Sequence, residues 1–140
     1  MTTRAALISE ARRHLGTRFH HQGRAPGAGL DCLGLIVVSA KSCGLDIIDR
    51  VDYDRVPDGV SLVAEISKSL DGPFDKSAAR LGSVLLVEFE KGLPQHVGFF
   101  TDIGILHALS FYPRRVVETR LDDAWNQKIV SCWELRGLED

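Results

Sequence analysis

The residues best suited to covalent or acid–base chemistry are Cys32, His96 and His107. Cys32 stands in "GAGLDCLGLIVVSA", where a glycine-rich loop gives way to an apolar helical pattern. A thiolate, not a thiol, attacks, and a helix N-terminus stabilises it through unpaired N–H groups and the helix dipole. At the first helical position after a cap, Cys32 is expected to be the most acidic thiol of the chain. Free cysteine is also among the most buried residue types, so core filler and nucleophile both stand at this point. The apolar stripe of Leu33, Ile36, Val37 and Ala40 leaves Cys32 at its edge, whereas Cys43 and Cys132 suit the core reading better. Three cysteines at irregular spacing do not make a disulfide framework. A structural zinc site is not expected either, because there is no C-x-x-C pair and no two histidines at ligand spacing on one helix.

A nucleophilic cysteine needs a base. His14 closes the first predicted helix, where a cation suits the dipole. His20 and His21 lie in the loop "TRFHHQGRAPGAGL" and could line a site. His96 and His107 each sit in an otherwise apolar strand, and the turn signal "TDIG" between them predicts a hairpin. If Thr101 pairs with Gly104, Gly98 lies opposite His107 and His96 opposite Leu109. Both imidazoles then leave one face as diagonal neighbours, within about 7–8 Å at Cβ. A register shifted by one residue would send them to opposite faces. Two histidines on one face, with a cysteine at a helix start, make the pattern of nucleophile, base and base-orienter.

The elements that must position these groups follow from periodicity. A helix is expected from about residue 3 to 15, with Ala5, Ile8, Ala11 and Leu15 inward and Gly16 as its stop. Asp31 is a suitable N-cap for the second helix, which Gly44 ends. A third helix is expected over 59–70, and residues 45–80 are expected to shape a substrate groove. After Ala79 come five strand-like runs: "SVLLVEF", "HVGFFTD", "GILHALS", "RRVVETR" and "IVSCWEL". A helical turn near 122–127 precedes the last. Helices first and an antiparallel sheet of about five strands second is an α+β fold, in one domain over residues 1–140.

Bulk properties narrow the function. Net charge is −2 with both signs interspersed, which gives no electrostatic footprint for direct nucleic-acid binding. The N-terminal "MTTRAALISEARRHLG" lacks the continuous apolar run of a signal peptide or membrane span, so synthesis in the cytoplasm is expected.

The stretches "GTRFHHQGRAPGAGLDCLGLI", "QHVGFF" and "ILHA" resemble the NlpC-type cell-wall peptidases, a compact bacterial papain-like family. The similarity is nearest to the branch associated with phage and gene-transfer-agent tails. It implies Cys32 as nucleophile, His96 as general base and acid, and His107 as the residue that orients His96. It further implies that the Cys32 N–H faces the oxyanion, and that no metal or organic cofactor takes part. The substrate it implies is the peptidoglycan stem peptide, cut between D-glutamate and a diamino acid. Phage-like tail proteins are the implied partners, and the implied setting is a tail particle acting in the periplasm or cell wall. Family members usually carry a tyrosine upstream of the cysteine, and the matching position here is Phe19. A lost oxyanion donor costs about 10²–10³ in rate unless His20 or His21 substitutes. Phe19, His20, His21 and Asp31 are thus the expected substrate-binding residues. Two alternatives are a structural tail protein that keeps the fold without catalysis, and a thiol acyltransferase or amidase.

Overall fold

Short β-branched and aromatic runs after Ala79 do form strands, and the helices before them cover one side of the resulting sheet. The computed structural model describes residues 2–140. In chain order the elements are β1 (Thr2–Thr3), α1 (Arg4–Arg12), β2 (Arg24–Ala25), β3 (Gly29–Leu30) and α2 (Cys32–Ser42). Then come α3 (Ser61–Ser67), β4 (Leu70–Phe74), a 3-10 turn (Lys76–Ala78), β5 (Val84–Glu90) and β6 (Leu93–Phe100). The chain closes with β7 (Gly104–Ala108), β8 (Val116–Arg120), α4 (Asp123–Lys128), β9 (Ile129–Leu135) and β10 (Leu138–Glu139). Six strands form one antiparallel sheet in the order β4-β9-β5-β6-β7-β8.

Alternation along the strands gives the sheet two apolar faces. One face carries Val84, Leu86, Val97, Phe99, Leu106, Ala108 and Trp133, and packs against Leu7, Ile8 and Ala11 of α1 and Leu33, Ile36, Val37 and Ala40 of α2. Leu35 and Ile36 are fully buried there, each contributing about 1.5–3 kcal/mol of burial free energy. The opposite face carries Leu85, Val87, Ile105, Ile129 and Cys132, and is covered by Phe89, Phe100 and Trp125.

Several sequence expectations change. The first helix stops at Arg12 rather than residue 15. Its buried apolar residues are Leu7, Ile8 and Ala11, while Ala5 and Leu15 are exposed. Thr3 caps this helix, accepting the Ala6 N–H at 3.0 Å. The third helix covers only Ser61–Ser67, and Leu70 instead opens β4, a sixth strand paired with β9. Its sequence "LDGPF" carries Gly72 and Pro73, which an edge strand tolerates. His14 is buried, and burial lowers its pKa, so it is not the exposed terminal cation its position suggests.

Candidate active site

The glycine-rich loop meets α2 at a densely hydrogen-bonded cap. Asp31 Oδ1 accepts the Gly34 N–H at 2.7 Å and Arg24 Nη1 at 2.9 Å. Asp31 Oδ2 accepts the Gln22 N–H at 2.9 Å and the Tyr53 hydroxyl. Arg24 also reaches both oxygens of Asp49, at 3.0 and 3.1 Å, and donates to the Tyr53 oxygen at 2.9 Å. One buried carboxylate thereby ties two separate segments, 22–24 and the stretch around Tyr53, to the start of the helix. With four donors on two oxygens, Asp31 is a scaffold rather than a free acceptor for a ligand. The close approach explains Gly34, because a Cβ there would stand 2.1 Å from the Gly23 carbonyl oxygen.

The cap leaves the first N–H groups of α2 free for other work. Gly34 is satisfied by Asp31, and the Leu35 N–H donates to the Asp31 carbonyl at 3.0 Å. Among the described residues the Cys32 N–H has no backbone acceptor. The half-buried Cys32 lies between α2 and β6, with the backbone N–H groups of Leu33 and Val97 directed at its thiol. The contact with Val97 sets the sulfur beside the strand neighbour of His96.

The hairpin adopts the register expected from the sequence. Phe99 pairs with Leu106 and Phe100 with Ile105, and the Thr101 N–H donates to the Gly104 carbonyl at 2.8 Å. His96 lies opposite Val87 and His107 opposite Val117. Both rings leave the face that carries Val87 and Ile105, and His96 Nε2 lies 2.8 Å from His107 Nδ1. Gly98 makes room for them, since a Cβ there would be 2.9 Å from the His107 Cβ. Phe89 stacks near His96 at 5.1 Å and Trp125 edges onto His107 at 5.2 Å, ring centre to ring centre. These aromatic covers were not singled out in the sequence, where Phe89 and Trp125 read as ordinary strand and helix residues.

A groove of about 500 Å³ joins the two halves. Cys32 and Asp31 line it from the helix side, His96 and Phe89 from the strand side, and Tyr53 from the segment between α2 and α3. Phe19 and His21 also face it. His20 does not; it is exposed, with Nδ1 2.9 Å from the His21 carbonyl. His107 lies behind His96, fully buried. Among the described residues no cluster of three or more His, Cys, Asp or Glu side chains could hold a metal ion.

The electrostatics correct one sequence expectation. Burial, with help from the Asp31 carboxylate, pushes the Cys32 thiol up to about 12, against the smaller opposing pull of the Val97 and Leu33 N–H groups and Arg24. The helix terminus is therefore outweighed, and Cys32 is not the acidic thiol that its position suggests. Burial, then repulsion from His107, holds His96 well below the usual histidine range, and burial alone brings His107 to about 4. At neutral pH the resting pair is a thiol and a neutral imidazole. His96 Nδ1 makes no hydrogen bond among the described residues, which leaves it as the nitrogen that can take a proton.

No protein-family model matches the sequence, and no curated protein matches it. Solved structures do share the fold. The chain is similar to an NlpC/P60 family protein from Bacillus cereus, with a TM-score of 0.70 at 20% identity over 94% of this chain and 39% of that one. It thus spans about two fifths of that protein's length. The NlpC/p60 domain of the peptidoglycan hydrolase SagA superposes with a TM-score of 0.60 at 21% identity, over 95% of this chain and 98% of that one. RipD from Mycobacterium tuberculosis, a non-catalytic NlpC/p60 domain protein adapted to peptidoglycan binding, gives 0.64 at 14% identity, covering 97% and 98%. These likenesses establish the fold as the α+β architecture of NlpC/P60 domains.

Proposed function

We propose that the chain is an NlpC/P60-type cysteine peptidase that hydrolyses the stem peptide of peptidoglycan. The observation that carries the proposal is the 2.8 Å bond between His96 Nε2 and His107 Nδ1 beside a groove shared with Cys32 at a helix N-terminus. That bond leaves His96 Nδ1 for the thiol, so each ring nitrogen has a separate task.

In the mechanism, the Cys32 sulfur attacks the peptide carbonyl while its proton passes to His96 Nδ1. Charge separates only as the bond forms, because both partners are neutral at rest. The Cys32 N–H donates to the developing oxyanion. The imidazolium then protonates the leaving amine, giving a thioester on Cys32. Water that loses its proton to His96 hydrolyses the thioester and restores the thiol.

Within this reading the bond cut is the amide between D-glutamate and a diamino acid, and the protein works on a phage-like or gene-transfer-agent tail at the cell wall. Only the sequence resemblance supports these two details. A second reading, binding the stem peptide without cleaving it, is favoured by Phe19. That side chain faces the groove without the hydroxyl expected of a family member.

Digestion of purified sacculi separates the two readings. The expected result is a new diamino-acid amine, identified by mass spectrometry of the released peptides and lost in Cys32→Ala. Sacculi that bind the wild-type protein yet release no new amine would establish the second reading.

A further inference from the structure

The two histidines do not end their own hydrogen-bond chain. His107 Nε2 lies 2.8 Å from the Thr119 hydroxyl on β8. In the β7–β8 ladder Val117 stands opposite His107 and Thr119 opposite Ile105, so Thr119 is the diagonal neighbour of His107 on the same face. The line from groove to strand is therefore His96, His107, Thr119, with both links at 2.8 Å.

Hydrogens can fill this line in two orders. In the first, His96 Nε2–H donates to His107 Nδ1 and His107 Nε2–H donates to the Thr119 oxygen. His96 Nδ1 is then bare and can accept the Cys32 proton. In the second, the Thr119 hydroxyl donates to His107 Nε2 and His107 Nδ1–H donates to His96 Nε2. His96 then carries its hydrogen on Nδ1 and cannot act as base. The choice at the far end decides which nitrogen of His96 is available at the near end.

We propose that Thr119 is a positioning residue that holds His96 in its base-competent tautomer by accepting the His107 Nε2–H. The role in catalysis rests on the cysteine-peptidase reading; the control of the tautomer does not. Once Cys32 has passed its proton to His96 Nδ1, His96 Nε2–H continues to donate to His107 Nδ1. No proton leaves His107, and the aligned chain spreads the positive charge toward β8. Valine matches the shape of threonine without the hydroxyl. A buried unpaired N–H is rarer and costlier than an under-satisfied acceptor. In Thr119→Val, therefore, the His107 hydrogen moves from Nε2 to Nδ1, and the His96 hydrogen moves to the groove side.

The test combines kinetics with nitrogen NMR of the imidazoles. Thr119→Val should lower kcat about tenfold or more, with KM little changed, and Thr119→Ser should restore most of it. In the wild type the NMR should place the hydrogen of both rings on Nε2, and in Thr119→Val on Nδ1. Because the wild-type spectrum is read without turnover, it serves even if the valine variant does not fold. A wild-type His96 protonated on Nδ1 at neutral pH overturns the proposal, as does a valine variant with unchanged tautomers and kcat. Expected tautomers in a wild type that cleaves no stem peptide would refute the peptidase reading and leave the control of the tautomer standing.

Discussion

The strand wall and the loop wall of the groove are built by different physics. On the strand wall, His96 and His107 are placed by ladder register, buried, and covered by Phe89 and Trp125. On the loop wall, residues 50–58 have no regular secondary structure and carry exposed charges such as Asp52, Asp54, Arg55 and Asp58. That wall is held from behind, where Tyr53 meets Asp31 and Arg24, and where Gln22 Nε2 donates to the Tyr53 carbonyl at 2.7 Å. Proton transfer needs atoms placed to a fraction of an ångström, which a sheet supplies. A wall that meets a varied ligand can be a loop, provided that its root is pinned.

The largest test of this contrast removes the pin. Arg24→Ala leaves the buried Asp31 carboxylate without its cation and frees Asp49 and Tyr53 together. Breaking a buried pair from one side costs about 3 kcal/mol or more. Denaturant unfolding should show that loss, whereas Arg55→Ala, on the exposed part of the same wall, should stay within about 0.5 kcal/mol. Equal effects from the two variants would show that the loop wall is not held by its root.

The strand wall is tested by pH. An unfolded histidine takes a proton near its ordinary value of 6.5, while His107 in the folded protein does so only at about 4. Between those values the unfolded state binds more protons, so stability falls as pH drops. The contribution of His107 alone is about 3 kcal/mol between pH 7 and pH 4. His107→Asn, which cannot titrate, should flatten that part of the profile. An unchanged profile would mean that His107 is not held neutral by burial.

Legibility in the sequence follows the same division. The hairpin register was readable because "TDIG" is a tight turn, and a tight turn sets the pairing on both sides of it. The cap at Asp31 was readable for the same reason: cap and helix are adjacent in the chain. Thr119 was not, since its face depends on the β7–β8 register, and the connection "LSFYPRR" between those strands contains no two-residue turn signal. Tyr53 and Arg24 were missed because their partner Asp31 lies 22 and 7 residues away through irregular backbone. β4 was hidden by its Gly-Pro step. The acidity expected of Cys32 failed because helix position is visible in a sequence, whereas desolvation of the thiol and the nearness of the Asp31 charge are not.

The central claim is that Cys32 carries the acyl group, and trapping that group tests it most directly. Wild-type protein would be mixed with a stem peptide, quenched in acid during turnover, and mapped by peptide mass spectrometry. The expected result is a thioester on the peptide containing Cys32, removed by hydroxylamine and absent in Cys32→Ala. Peptide cleavage that persists in Cys32→Ala, or an adduct on Cys43 or Cys132 instead, would contradict the account.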